Sequence, residues 1–261
     1  MKISTSPSPP AHAGEGSAPS NPNQSAVTIK RLPIGNRILD IVCCLLALPV
    51  LCAGVLLMLL VTQLVSPGPV FFRQERVGFL GRRFKLLKFR TMRVGANLQV
   101  HQDHFKQLIV SNAAMVKLDS LHDTRLIPGG WLLRASGLDE LPQLINVLRG
   151  DMSLVGPRPC IPSEFEQFLP WQRERITAAP GLTGLWQVSG KNRTTFDEMI
   201  RWDIHYARNV SLLLNLKIIA LTPWAMVVQI GDTRLRRQST ATFTPANNSP
   251  LPLIPVPVTV E

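Results

Sequence analysis

Two adjacent carboxylates, Asp139 and Glu140, open the stretch of this sequence richest in chemistry, LDELPQLINVLRGDMSLVGPRP at Leu138–Pro159. Leu141, Leu144, Ile145 and Leu148 recur at i, i+3, i+4 and i+7, one apolar face of a short helix. Pro142 is tolerated only in a first turn, and Arg149 followed by Gly150 is a helix stop. The spacing therefore predicts a helix that begins near Asp139. Unpaired N–H groups and the positive end of the dipole favour anions at such an end. Neighbouring helical residues point different ways, so one carboxylate as nucleophile or metal ligand beside one acid/base is a natural division. Taken alone, the dipeptide also reads as an N-cap beside a solvated first-turn residue. At the far end, Gly156–Pro157–Arg158–Pro159 holds an arginine in an extended conformation between two prolines. That preorganisation suits fork-like phosphate binding. Arg134, shortly before Asp139, is a further candidate for a phosphate or nucleotide contact.

The elements that must position these groups follow from the rest of the 261 residues. A net charge of +11 implies an anionic partner, for which nucleic acid, anionic lipid and a nucleotide-sugar all qualify. Residues 1–30 are poor in large apolar groups, lack the apolar core of a signal peptide, and read as a disordered tail. Ile41 to Val61 is a run of 21 uncharged, mostly apolar residues, long enough for one transmembrane helix. Basic residues flank both ends, against the positive-inside tendency of a simple span. Pro49 sits within the run, where it removes a backbone hydrogen bond and can bend a helix. On the residues alone, a spanning helix and a helix that re-enters on the same face both stay open.

Ser66–Pro67–Gly68–Pro69 ends that segment as a turn. Val70–Gln74 and Phe84–Phe89 read as short strands of a hairpin joined through Gly78 and Gly81. The basic residues clustered there, Arg73 and Arg76 among them, read as a membrane-surface patch. His101 and His104 have the spacing of a metal pair but no third ligand nearby, and a structural or solvated role is expected. Cys43, Cys44, Cys52 and Cys160 show no disulfide or zinc spacing, which fits a reduced, cytosol-facing location. Phe165, Phe168, Leu169 and Trp171 suit either an interfacial amphipathic helix or the core. Pro180–Gly190 reads as a Gly-rich loop able to approach a nucleotide. Leu212 to Ile230 reads as an interfacial or core helix rather than a second span, because Lys217 and Pro223 interrupt it. The chain from 238 to 261 reads as a second disordered tail.

Several of these stretches together resemble the bacterial sugar transferase family, the monotopic phosphoglycosyl transferases. The motifs are SPGPVFFRQERVG at Ser66–Gly78, KFRTM at Lys88–Met92, LDELPQ, GDMSLVGPRP, PGLTGLWQVSG at Pro180–Gly190, and the Asp203–Tyr206 segment. They stand in the family's order from about Arg31 to Gly231. The resemblance implies a helix-dominated α/β fold, with a re-entrant membrane helix over 31–66; its breaking proline is expected nearer Ala53, so the break here is displaced to Pro49 or shared between Pro49 and Gly54. A small catalytic domain over 67–237 would carry a short hairpin and interfacial amphipathic helices. It implies transfer of a sugar-1-phosphate from a UDP-sugar to polyprenyl phosphate, with release of UMP, as the first membrane step of exopolysaccharide or glycan synthesis.

By the same resemblance Asp139 is the nucleophile and Glu140 assists with proton or metal handling. Mg²⁺ is the expected ion, since carboxylate and phosphate oxygens are its preferred ligands. Lys88, Arg90, Arg158 and Asp203 are implied to face substrate and phosphates. Lys191 stands where the family carries an arginine, and offers a point charge in place of a fork, with Arg193 as a substitute. Asn215 stands where a second aspartate is common. The bacterial inner membrane, cytoplasmic face, membrane lipids and, as a candidate partner, a second copy of the chain complete the implied setting. Two rival classes remain. A nucleic-acid-binding protein explains the charge but not Ile41–Val61, and no nucleic acid is expected as partner. A catalytically silent membrane scaffold explains the helix and tails but not the carboxylate pair.

Overall fold

A computed structural model of the chain describes residues 33–96, 125–190 and 194–241, the last up to 228 for side chains. The N-terminal helix α1 runs from Ile34 to Leu64. At about 1.5 Å per residue its 31 residues extend about 46 Å, more than a hydrocarbon core of about 30 Å. Its apolar composition makes it the one helix among the described residues long and apolar enough to cross a membrane. The helical run continues through Pro49, the residue at which a break was expected. Cys44 and Leu51, before and after Pro49, are both anchored in the core, and this packing keeps the two segments in register although one backbone bond is lost.

Only one stripe of α1 is covered: Asn36, Asp40, Cys44, Leu51, Met58 and Thr62 are buried, a spacing of fours and sevens. The stripe holds the domain through polar contacts at its start. Arg37 donates to the carbonyls of Val147 (2.6 Å) and Leu148 (2.7 Å). Asp40 Oδ1 accepts from Ser153 Oγ (3.0 Å) and from the Leu154 N–H (2.9 Å). Cys43, Ala47, Leu48, Val55 and Val61 beside the stripe are partly buried against the core, while Leu46, Leu56, Leu60 and Leu64 are exposed.

After the Ser66–Pro69 turn comes the expected hairpin, with longer strands. β1 (Phe71–Val77) pairs antiparallel with β2 (Arg83–Phe89), from Phe71 opposite Phe89 to Val77 opposite Arg83. A 3₁₀ turn, Phe79–Gly81, links them. Because side chains alternate and opposed residues share a face, Arg76, Gln74, Leu86 and Lys88 stand on one side, Leu87 and Phe89 on the other. The second side packs on the helices, with Phe89 so close to Gly54 of α1 that a Cβ there would lie 3.1 Å from its ring.

Helix α2 spans Gly130–Ser136 and a 3₁₀ turn spans Leu138–Glu140. Helix α3 follows at Gln143–Arg149 and stops at Gly150, whose φ of 83° is open to glycine. The helix predicted to begin at Asp139 thus begins four residues later. Pro142 is its N-cap, and the carboxylates occupy the preceding tighter turn. Asn146, fully buried, ties α3 to β2: its Oδ1 accepts from the Leu87 N–H (3.0 Å) and its Nδ2 donates to Lys85 O (2.9 Å).

A second sheet, not foreseen from sequence, pairs β3 (Ser153–Val155) in parallel with β4 (Gly181–Thr183). Gly181, in the stretch read as a nucleotide-approach loop, serves this pairing together with Gly156 of the motif before it. A Cβ on Gly156 would sit 2.1 Å from Ala179 O, and one on Gly181 2.0 Å from the Gly156 nitrogen. Helix α4 (Pro162–Glu166) and a 3₁₀ segment (Gln172–Thr177) follow Arg158. In that region Phe168 is buried, while Leu169 and Trp171 are exposed, so the aromatic stretch divides between core and surface. The short helix α5 (Leu185–Val188) and helix α6 (Phe196–Arg208) precede α7, which runs from Leu212 to Ala241, past the boundary predicted at 237. The observed class is helix-dominated α/β with a short hairpin. Lys191, Arg193, His101, His104 and the two predicted tails, apart from 238–241, lie outside the described residues.

Replacing Asn146 by Ala leaves the Leu87 N–H and Lys85 O buried without partners. Each such group costs about 1–3 kcal/mol, so Asn146→Ala is expected to lower unfolding stability by roughly 2–4 kcal/mol, measured by denaturant titration of the detergent-solubilised chain. A loss under about 0.5 kcal/mol would show that α3 is held by packing alone.

Candidate active site

Hairpin, carboxylate turn and the Arg158 loop converge on one cleft. Arg76, Lys88 and Arg158 are its cations and Glu140 its carboxylate; Gln143 and Gln187 are its amides, and Leu86, Pro159, Gly181 and Leu182 complete its wall. The Lys88 ammonium lies 2.7 Å from Glu140 Oε1, a half-buried pair. Burial pulls the Lys88 pKa down; the Glu140 and Asp139 charges act against this, and Arg158 adds to it. Asp139 is buried in the same turn, next to this pair rather than on the cleft wall.

Arg76, read from sequence as part of a surface patch, is instead buried in the cleft. Its Nη1 donates to Pro159 O (3.0 Å) and its Nη2 to Gln74 Oε1 (2.6 Å), while Nε has no partner. Burial first, then the neighbouring Arg158 charge, push its pKa down to about 10. Two crowded guanidinium groups with an open donor make an environment that an anion relieves.

Behind the cleft lies a buried set of counter-ions. Arg175 donates through Nη2 to Asp203 Oδ2 at 2.5 Å and to the Arg158 carbonyl at 2.7 Å. Glu164 is buried close to Arg76, Arg158 and Arg175; burial raises its pKa and the three arginines oppose that rise. Asp203 therefore does not line the cleft but orients Arg175, which holds the backbone of Arg158. Tyr206 Oη stands 2.9 Å from both Val155 O and Asn215 Oδ1. A hydroxyl has one proton, so Val155 O receives it and the Asn215 amide, turned over, donates in return. An aspartate at 215 would have no proton to give.

Two predicted site residues lie elsewhere. Arg90 is buried and directed at the turn after α1: Nε donates to Pro69 O (2.7 Å), Nη1 to Ser66 Oγ (3.1 Å), and Nη2 to Ser66 O. One residue past β2, its alternation no longer follows Lys88. Arg134 is in the last turn of α2 and is not part of the cleft wall. The sequence reading missed Arg76, Gln143, Gln187 and Arg175. For Arg76 a signal existed, since the strand alternation continued to Val77 puts it on the Lys88 face.

Burial raises the Asp203 pKa from 3.8 to about 6, with Arg175 opposing the rise. A raised folded-state pKa means that the folded protein takes up the proton more readily. Stability from this group is then present at low pH and falls as pH rises through about 6. Asp203→Asn is expected to flatten that part of the unfolding-stability profile between about pH 4 and 7; an unchanged profile would place the titration on another group.

Residues 32–229 match the bacterial sugar transferase family. Galactosyl transferase CpsE of Streptococcus agalactiae serotype III is 43% identical over 203 residues, 76% of this chain and 43% of that protein. Exopolysaccharide production protein ExoY of Sinorhizobium fredii is 37% identical over 200 residues, 76% of this chain and 88% of that protein. The UDP-glucose:undecaprenyl-phosphate glucose-1-phosphate transferase of Xanthomonas campestris pv. campestris is 41% identical over 168 residues, 61% of this chain and 32% of that protein. The chain thus spans less than half of the streptococcal and Xanthomonas proteins and most of the ExoY protein. On the family match and this last coverage, the chain belongs to the bacterial sugar transferase family.

Proposed function

We propose that the chain transfers a sugar-1-phosphate from a UDP-sugar to a polyprenyl phosphate and releases UMP, the first membrane step of exopolysaccharide synthesis. The relatives named as glucose-1-phosphate and galactose phosphotransferases act on undecaprenyl phosphate. The observation that carries the reading is the cleft itself: Arg76, Lys88 and Arg158 stand around Glu140, with Asp139 adjacent. Its excess of positive charge fits a diphosphate, and Leu141, the residue after its carboxylate turn, meets the long apolar helix at Gly54.

In the proposed chemistry an oxygen of Asp139 attacks the β-phosphorus of the donor. The bond from that phosphorus to the bridging oxygen breaks, and UMP leaves with the electron pair. The terminal phosphate oxygen of the acceptor then attacks the same phosphorus and restores the carboxylate. The bond between sugar C1 and its oxygen is never broken, so the anomeric configuration is kept. Arg76 and Arg158 hold the phosphate oxygens, Lys88 follows the charge as it moves, and Glu140 keeps Lys88 in place and accepts or returns a proton. Among the described residues no three His, Cys, Asp or Glu form a metal cluster. Mg²⁺ would therefore be held by Asp139 and Glu140 together with the donor's own phosphate oxygens, the kind of mixed set it takes. When bound it would neutralise phosphate charge.

The chain would act at the cytoplasmic face of the bacterial inner membrane, with both ends of α1 at that face. Both ends of α1 are tied to the same domain, through Arg37 to Val147 and Leu148 and through Arg90 to the Ser66–Pro69 turn. Such a helix lies along the domain, with its uncovered apolar side toward lipid. The exposed Trp131, Leu132, Leu213 and Trp224 fit the same surface.

A membrane preparation with polyprenyl phosphate is expected to release UMP from UDP-glucose or UDP-galactose; release from no UDP-sugar would overturn the reading. Arg158→Lys keeps the charge and loses the fork, with an expected loss of about tenfold or more, or about 1.4 kcal/mol; near-normal activity would show that charge alone suffices. Cysteines placed at Ser20 and Thr240 are both expected to react from the cytosolic side, and a reaction at only one would establish a crossing helix.

A further inference from the structure

Gln143, the first residue of α3, is buried to 4% exposure yet lines the cleft. Its amide makes no side-chain hydrogen bond to any described residue. The amide is not among the buried polar atoms left without a partner, so it opens to the cleft, where a ligand can complete it. On the same wall Gln187 donates through Nε2 to Leu182 O (3.3 Å), and its buried Oε1 has no partner.

We propose that Gln143 binds a hydroxyl of the sugar being transferred, with Gln187 as a second amide for the same group. This rests on the sugar-phosphate transfer proposed above. A phosphate oxygen only accepts hydrogen bonds, so it would use just the NH₂ half of the amide, and the cleft already offers it three cations. A hydroxyl both donates and accepts, as an amide does. The uracil edge would also match an amide, but the order of groups in the donor excludes it at this position. Uracil, ribose and the α-phosphate lie on one side of the attacked phosphorus, and the sugar is joined directly to it on the other. Gln143 stands three residues after Glu140 in a continuous helical path, a separation of about 5–6 Å between such neighbours. It is therefore within reach of the group bonded to the reacting phosphorus, not of a base two groups away.

UDP-glucose and UDP-galactose, which differ only in the orientation of one hydroxyl, and UDP, which lacks the sugar, separate the possibilities. With the full chain in membranes, Gln143→Met keeps side-chain length and removes the hydrogen bond. The expected result is a KM for the preferred UDP-sugar raised about tenfold, weaker discrimination between the two epimers, and an unchanged inhibition constant for UDP. An unchanged KM and epimer ratio would overturn the inference, and so would UDP inhibition that weakens in step, which would assign Gln143 to the nucleotide. If Gln143→Met no longer binds UDP because it fails to fold, Gln143→Asn serves instead. That variant keeps the amide but withdraws it by one methylene, so the same KM rise with intact UDP binding is expected, and a wild-type KM contradicts. A wild-type chain silent on every UDP-sugar would overturn the transfer reaction and this inference together, whereas an active wild type matched by its variants overturns this inference alone.

Discussion

Asn146 bonds the backbone of β2 from both ends of its amide, and so fixes α3 against the strand that carries Lys88. The carboxylate turn is joined to α3 through Leu141 and Pro142, so that contact and the Lys88–Glu140 pair together set its position. The far end of α3 is held as firmly, because Arg37 of α1 takes its last carbonyls. In between, Leu141 reaches the surface of α1 at Gly54. The apolar helix is thus an integral wall of the domain, and the carboxylate turn inherits its distance from that helix through α3.

Charge is the second constraint. Three cations line a cleft whose lining holds one carboxylate, and burial together with the Arg158 charge weakens the hold of Arg76 on its proton. The buried pair Arg175–Asp203 and the buried Glu164 supply compensation from behind. A buried pair of this kind contributes little net stability, but it fixes geometry: Arg175 holds the Arg158 carbonyl while the proline on either side fixes its backbone. The tight approach of Gly156 to Gly181 closes the same loop from the β4 side. Arg158 is left with only its side chain free to adjust.

The carboxylate pair, the stop at Gly150, the hairpin and the role of Arg158 as a cleft residue were legible because each rests on a local rule of spacing or fixed φ. Residues whose position depends on contacts distant in sequence were not. Arg76 was lost because the strand was ended at Gln74, two residues before the alternation would have placed it beside Lys88. Arg90 was drawn into the site by its motif, although its guanidinium is directed at the turn after α1. The glycines at 156, 181 and 184 show why a glycine-rich stretch is ambiguous: close backbone packing and close approach to a ligand require the same missing Cβ. Pro49 marks a lost hydrogen bond, and local sequence could not reveal that packing on both sides would carry the helix through it.

The central claim is that Asp139 is the group that first receives the sugar-phosphate. Peptide mass spectrometry of the purified chain, quenched after exposure to its UDP-sugar without acceptor, tests it directly. The account requires the mass of one sugar-phosphate on the peptide containing Asp139, disappearing when polyprenyl phosphate is added and never formed in Asp139→Asn. An adduct on another residue, or an enzyme that turns over while remaining unmodified, would contradict it and leave the carboxylates only the task of holding metal and phosphate for a direct transfer.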